Sequence, residues 1–508
     1  MDTVQVLPRA QRASIDSKSS KKTSDLVTKT SDLDALSQSE KSVAAGPSIA
    51  KQLEGQGEVQ LDYSGFAQKT DPKEKALVRK MDVRIMISLW SLYILNYLDR
   101  NAIALARLND LEEDLGMTDT QYQLAVSILF IGYVLFGIPS NMIVSRMKKN
   151  VPTFMVGTMM LWAVLSICTA FVKNAAGLYA VRFFLGVVEA PYYPAALFVL
   201  SQFYTRTELA TRISILYTGN VLATAFAGLI AAAVFEMDGL MGYAGWKWLF
   251  IIQGSITGVV ALCAWPWLPA TPSTTRWLNP EERELAASRM LRDKVDEGPE
   301  GTALDGLKQA VKDPRAWVFV LMQTLHLAAN GFKNFFPSVV QTLGFGRTIT
   351  LVLTCPPYLI AAAVSVAFSI SSGRMNERTW HLTACKTIAT IGFVTAAATL
   401  NTAGRYVAMI IFCSGTYVAN SIILGWASTV CNQTKEKKAV VISMMVSASN
   451  ASFIYTPFLF RDQDKPRYAL AMGAMAGFSI LCAATAWSMK FILIKQNRTL
   501  DATTRYPY

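Results

Sequence analysis

The sequence predicts an all-α integral membrane protein of about twelve spanning helices in two halves, and three observations carry that prediction. Of 508 residues, 52% are hydrophobic and 17% charged, whereas soluble domains carry about 25% charged residues. Mean hydropathy is +0.30. Apolar runs of about 20 residues, enough to cross a ~30 Å hydrocarbon core at ~1.5 Å per residue, recur along the chain. The loops between them alternate in charge, as the two sides of a membrane require.

Residues 1–80 are rich in Ser, Lys, Thr, Asp and Gln, lack apolar periodicity, and are expected to form a disordered tail. Ser and Thr between residues 18 and 30 can be phosphorylated, although a merely solvated tail is the plainer expectation. The first long apolar run starts near Met86 with no small-residue cleavage site after it, so it reads as an uncleaved anchor. A first half, 81–268, holds predicted helices at 84–105, 121–144, 152–172, 178–200, 212–235 and 247–268. A linker, 269–315, follows. In it Asn279-Pro280-Glu281-Glu282-Arg283 turns into a short amphipathic helix. The second half, 316–492, places helices at 316–340, 349–371, 381–400, 406–427, 439–460 and 468–491, and 493–508 is a second tail. Val144-Ser145-Arg146-Met147-Lys148-Lys149 and Ser372-Gly373-Arg374-Met375-Asn376-Glu377 follow the second and eighth runs as a weak internal repeat. Two parallel halves of this kind suit a secondary transporter with its site at the midplane.

The formal net charge is +12, but its bases occupy short loops rather than a nucleic-acid patch. They sit at Lys75, Arg79 and Lys80, at Arg146, Lys148 and Lys149, at Arg206 and Arg212, through the linker, at Arg374 and Arg378, at Lys435, Lys437 and Lys438, and at Lys495 and Arg498. The loop after the first run is acidic instead, with Asp110, Glu112, Glu113 and Asp114, and the loop 461–467 carries both signs. This alternation puts both termini and the linker in the cytoplasm. Cys168, Cys263, Cys355, Cys385, Cys413, Cys431 and Cys482 lie in or beside apolar runs without disulfide or zinc spacing. They read as small hydrophobes. The absence of a Walker loop, nucleotide fingerprint, metal-ligand cluster or nucleophile elbow leaves enzymatic chemistry, metals and cofactors without support. Asn-x-Ser/Thr matches at Asn432, Asn450 and Asn497 fall on cytoplasmic or membrane positions and read as chance.

An ionisable residue in a spanning helix costs ~2.5–3.5 kcal/mol on insertion scales, so each needs a partner, a cavity or a task. The first helix has Asp99 and Arg100 in Asn96-Tyr97-Leu98-Asp99-Arg100-Asn101, the fourth has Arg182 and Glu189, and the seventh has Lys333 in Asn330-Gly331-Phe332-Lys333-Asn334. Arg182 and Glu189 share a helix face but stand about 10 Å apart along the axis, too far to pair. Asp99 is therefore expected to pair with Arg182, and Glu189 to face a central cavity where it exchanges protons. A packing lattice of buried ion pairs is the alternative, as is snorkelling of Asp99 and Arg100 at the outer interface. Lys333 lies near an outer helix end, and Gly331 beside it favours a cavity. Arg100 and Lys333 converging from both halves would attract an anion, and arginine can grip a carboxylate through two hydrogen bonds. Asn96, Asn330, Asn420, Asn450, Tyr193 and Tyr358 are candidate substrate hydrogen-bonders, with polar glue between helices as the plainer role. Pro191, Pro194 and Pro356-Pro357 interrupt backbone bonding and read as hinges or simple kinks. His326 can relay protons, but a lone histidine is a weak signal, and His381 at a helix edge is weaker.

Together these residues resemble the anion:cation symporter family of the major facilitator superfamily, and within it the fungal allantoate permease branch. The matching segments are Tyr97-Leu98-Asp99-Arg100, Asp114-Leu115-Gly116-Met117-Thr118-Asp119-Thr120-Gln121-Tyr122, Gly137-Ile138-Pro139-Ser140-Asn141, Arg182-Phe183-Phe184-Leu185-Gly186-Val187-Val188-Glu189-Ala190 and Phe203-Tyr204-Thr205-Arg206. Gly245-Trp246-Lys247-Trp248-Leu249-Phe250, Leu268-Pro269-Ala270-Thr271-Pro272, Trp277-Leu278 and Glu281-Glu282-Arg283 continue the likeness over nearly everything after Lys75. The resemblance implies a major facilitator fold of twelve transmembrane helices in two pseudo-symmetric six-helix halves, alternating access, and proton-coupled symport of a small organic anion: a carboxylate, ureido acid, vitamin or amino acid. It further implies proton handling at Asp99 and Glu189, substrate binding at Arg100, and Arg182 as the charge partner of Asp99. The superfamily's loop acid after the second helix is missing, with Ser145 near its place, and Lys333 is not a family-wide feature. The Gly-Pro motif of drug antiporters is absent from the fifth helix. The expectation is thus a monomeric plasma-membrane symporter, in contact with lipid, protons and its anionic substrate. An efflux carrier for a secondary metabolite is the runner-up, and a non-transporting nutrient receptor a third reading.

Overall fold

The computed structural model describes residues 71–147, 150–295, 303–375, 377–498 and 506. Among them the regular structure is helical and no strand occurs, as lipid demands of a chain that must satisfy its own backbone groups. Each apolar run predicted to span is a helix. The first is Ile87–Ala106, followed by Asp119–Met147, Val151–Thr169, Ala175–Phe203, Arg206–Phe235 and Gly245–Ala264. The seventh, Pro314–Ala329, passes through a 3-10 turn, Asn330–Asn334, into Phe336–Gln341. Arg347–Met375, Thr379–Ala398, Thr402–Val430, Glu436–Leu459 and Ala469–Asn497 complete the order. Among the described residues, 9 of these helices are long and apolar enough to cross a membrane on composition alone. The first, seventh and ninth fall outside that set, and they carry Asp99 and Arg100, His326 and Lys386 respectively.

Breaks fall where proline removes a backbone donor. The fourth helix stops at Glu189 and restarts at Tyr192, astride Pro191. The eighth is divided between Leu353 and Cys355, ahead of Pro356 and Pro357. Side chains cap the starts: Asn174 accepts from the Gly177 N–H and Asn401 from the Gly404 N–H, each at 2.9 Å. In the first half, the first helix packs on the fifth and sixth, the second on the fourth and the third on the sixth. In the second, the seventh packs on the eleventh and twelfth, and the ninth on the tenth and twelfth. The second and fourth helices meet backbone to backbone, because a Cβ on Gly186 would overlap the Leu129 carbonyl and one on Gly132 the Phe183 carbonyl.

Linker helix Pro280–Val295 is tied to the first half by Lys80 with Glu282 at 2.6 Å and Arg289 with Glu208 at 2.6 Å. A second linker helix, Ala303–Lys312, approaches Glu436 through Gly306. Residues 72–80, expected to belong to the disordered tail, instead lie in a helix, Pro72–Met81, because Leu77, Val78 and Met81 share a face that is buried. The disorder expected of residues 1–70, the loop bases Lys148 and Lys149, and residues 499–505, 507 and 508 of the C-terminal tail lie outside the described residues.

The Gly186 contact leaves no room for a side chain. Gly186→Val should cost about 1–3 kcal/mol of fold stability and lower the thermal unfolding midpoint of purified protein, whereas Gly137→Val, with open space around it, should leave the midpoint unchanged.

Candidate functional site

Successive helical residues differ by about 100° around the axis, so Asp99 and Arg100 must face different neighbours. Arg100 turns to the fourth helix: its Nε donates to Glu189 Oε1 at 2.8 Å and its Nη2 reaches the same oxygen. The rings of Tyr97 and Tyr133 flank the guanidinium, each centroid 5.0 Å from it. Asp99 turns the other way and accepts from Ser166 Oγ at 3.2 Å and Thr257 Oγ1 at 3.3 Å, on the third and sixth helices. The expected ion pair of Asp99 with Arg182 therefore does not close. Arg182 sits about two turns along the fourth helix from Glu189, 1% exposed, with its guanidinium 5.7 Å from the Phe250 ring and its Nε and Nη2 without acceptors. Glu189 does face the cavity, but paired with arginine rather than alone.

That cavity has a volume of about 150 Å³ and lies between the halves. Of the residues singled out from sequence, Asn96, Arg100, Glu189 and Tyr193 line it from one half, and His326, Asn330, Lys333, Asn420 and Asn450 from the other. Asp99 and Arg182 are not among its lining residues. Neither is Tyr358, which packs edge-on to Phe336 and Tyr417. The Lys333 ammonium lies 4.3 Å from the Phe453 ring centroid. Gly331 serves a different purpose from the one expected: a Cβ there would stand 2.6 Å from that of Thr456, so it admits the eleventh helix rather than opening space. By formal charge, the two bases Arg100 and Lys333 in the wall outnumber the one acid, Glu189.

Sequence reasoning missed several lining residues. Tyr97, Tyr133, Tyr217 and Tyr417 were hidden as aromatics in apolar runs, where core packing is the default role. Gln323 donates to Asn420 Oδ1 at 2.9 Å, and a glutamine inside the seventh run was the available signal. Lys386, which lies within the ninth run and is not among the lining residues, was equally countable as an intramembrane charge.

Bonds between the halves close one end of the cavity, the end with the acidic loop. Arg107, at the end of the first helix, lies 3.1 Å from Glu112, 3.0 Å from Asp119 and 3.1 Å from Asp462 of the opposite half. Gln123 donates to the Phe460 carbonyl at 2.7 Å, and Arg347 bonds Asp110 at 2.9 Å. Toward the linker end the space continues into a second cavity of about 120 Å³, lined by Tyr133, Asn141 and Pro194 on one side and Ser443 and Asn450 on the other.

Residues 89–457 match the family described as Major Facilitator Superfamily. The chain belongs to this superfamily. It is 29% identical over 438 residues to the major facilitator-type transporter hxnP of Emericella nidulans, covering 84% of this chain and 87% of that one. It is 33% identical over 435 residues to the MFS transporter prlL of a fungal species, covering 84% and 87%. Among solved structures, an inward-facing bacterial homologue of the human lysosomal transporter Spinster superposes with a TM-score of 0.66 at 15% identity, over 84% of this chain and 99% of that one. A D-xylose-proton symporter gives 0.62 at 12% identity, over 80% and 97%. The major facilitator fold expected from the sequence is thus present, and the protein is a multi-pass membrane transporter.

At the sealed end, burial pushes the Glu112 carboxyl above its ordinary value, against the opposing pull of Arg107. A carboxyl that holds its proton more tightly when enclosed than in water favours the closed form as pH falls. Lowering pH from neutral toward the ordinary carboxylate range should therefore tighten this end. Spin labels at positions 113 and 465 should report a growing short-distance population on acidification, and Glu112→Gln should show it at every pH.

Proposed function

We propose that this transporter is a proton-coupled symporter that takes up a small carboxylated solute across the plasma membrane as a monomer, with linker and termini in the cytoplasm. Within the superfamily this places it with the anion:cation symporters and their allantoate permease branch, whose motifs it resembles. The observation that carries the proposal is the Arg100–Glu189 pair in the wall of a cavity whose remaining charge, Lys333, is positive. Ionised Glu189 occupies the guanidinium and acts as an internal stand-in for a substrate carboxylate. A proton on Glu189 removes that competition and frees the Arg100 fork for the incoming anion. Proton and anion then depend on each other for binding, which is the thermodynamic requirement for symport. Lys333 adds attraction from the opposite half, while Asn96, Asn330, Asn420 and Tyr193 supply hydrogen bonds that orient the solute. Asp99, reached by two hydroxyls rather than a base, serves as a second proton position beside Arg100, and Arg182 biases it electrostatically. With the linker in the cytoplasm, the described state is open inward.

The test is uptake of labelled carboxylates and their neutral amides by cells expressing the protein, at external pH 5 and 7. One or more acids should enter faster at pH 5, and the amides should not. Arg100→Ala should raise KM for that acid by at least ~30-fold, the loss of about 2 kcal/mol of ion-pairing. Glu189→Gln should abolish pH-driven accumulation but retain exchange of internal for external substrate. Accumulation intact in Glu189→Gln, with protein verified at the surface, would sink the coupling role.

A further inference from the structure

The second half holds a buried cation that the cycle above leaves unused. Lys386, on the ninth helix, is 1% exposed, and His326, on the seventh, is 0% exposed. Lys386 Nζ lies 2.9 Å from His326 Nδ1. Among the described residues no ion pair with a carboxylate joins it. An ammonium offers donors only, so His326 must present Nδ1 as a lone pair and carry its single proton on Nε2. A second proton would set two like charges side by side in a medium of low dielectric, where repulsion is strong. Burial away from water and this repulsion together hold the imidazole neutral, and Lys386 fixes its tautomer.

Its Nε2 faces Asn330, whose Nδ2 is 3.4 Å away, while the Asn330 Oδ1 is buried and has no partner. A half-turn of the amide exchanges those atoms and gives Nε2–H its acceptor, leaving the amide N–H groups as donors. His326 and Asn330 both line the central cavity. Other titratable groups around the pair are thiols and a phenol: Cys385 beside Lys386, Cys482 on the twelfth helix, and Tyr417 on the tenth, which lines the cavity with His326. The eleventh helix contributes the neutral Ser449 and Asn450 to the same wall, and the charged groups of the cavity are Arg100, Glu189 and Lys333.

We propose that Lys386 holds His326 as a permanent hydrogen-bond donor to Asn330, and that the Asn330 amide N–H groups presented in this way form a second subsite, opposite Arg100, for a carbonyl or carboxylate oxygen at the far end of the solute. Resting on the carboxylate reading above, this narrows the substrate class to solutes with acceptors at both ends. Lys386 and His326 are positioning residues in this scheme, and Asn330 touches the solute.

Full-length protein labelled with 15N-histidine tests the device directly, because the chain has 2 histidines and His381→Gln assigns them. His326 should show one neutral Nε2–H form from pH 8 to 5. In Lys386→Met burial still opposes a second proton, but Nδ1 has lost its donor, so an Nδ1–H tautomer signal absent from the wild type should appear. A wild-type imidazolium at pH 5, a wild-type Nδ1–H tautomer, or an unchanged Lys386→Met spectrum would overturn the proposal; if that variant does not fold, the wild-type spectrum still decides. Competition by levulinate and by valerate against uptake of the transported acid tests the subsite. The keto acid should compete about 10-fold better, the worth of one hydrogen bond, and the preference should vanish in His326→Leu but survive in His326→Gln. Equal competition in the wild type refutes the subsite. The spectral result holds whether or not transport is proton-coupled, so the two proposals fail separately.

Discussion

The bond between Arg100 and Glu189 is the constraint around which the first half is built. A buried ion pair contributes little net stability, since the cost of leaving water offsets the attraction, yet removing one partner strands the other. Once chosen, the pair dictates its surroundings. The fourth helix must bring Glu189 to the level of Arg100, which glycine contacts at Gly132 and Gly186 permit by letting the second and fourth helices approach without side chains between them. Directly after Glu189 the helix breaks at Pro191, and that interruption faces the cavity rather than lipid, the one place where open backbone is tolerated in a bilayer.

The sealed end obeys a different rule. Alternating access requires contacts between the halves that hold but can be undone. Exposed ion pairs suit that need, being worth about 0–1 kcal/mol each, and Arg347 with Asp110 is of this kind, with side chains 38% and 60% exposed. Arg107 is more enclosed and gathers three acids, so it holds more firmly, and its partners span both halves. The acidic loop that marks topology in the sequence is thus also part of the closing mechanism.

Much of this was legible in the sequence, for a physical reason: lipid forces a one-to-one relation between an apolar run and a helix, so the helices could be placed from composition. The same logic found Arg100, Glu189 and Lys333, because a charge in a spanning helix has to be accounted for. Pairing was less legible. Asp99 and Arg100 are neighbours in sequence and equally polar, and only the rotation of the first helix decides which meets Glu189. Lys386 was passed over although it obeys the same rule, because the ninth run around it reads as an ordinary apolar span. The tyrosines could not be told from core, since an aromatic ring lining a cavity and one filling a helix contact leave the same trace in a sequence.

The two halves differ in how they treat charge, and that difference gives the cavity its sign. In the first half the base that lines the cavity, Arg100, is matched by an acid at contact distance, while Arg182 lies outside the cavity wall. Across the cavity, Lys333 rests against an aromatic ring and Lys386 against an imidazole, partners that soften a positive charge without cancelling it. A cavity in that state is poorly suited to closing on itself, because sealing it from water would bury uncompensated charge. On the carboxylate reading proposed above, an anion bound between the halves would add negative charge there and favour closure. On that reading, the same imbalance that would draw the solute in would also oppose rocking of the empty halves and favour it once the solute is bound.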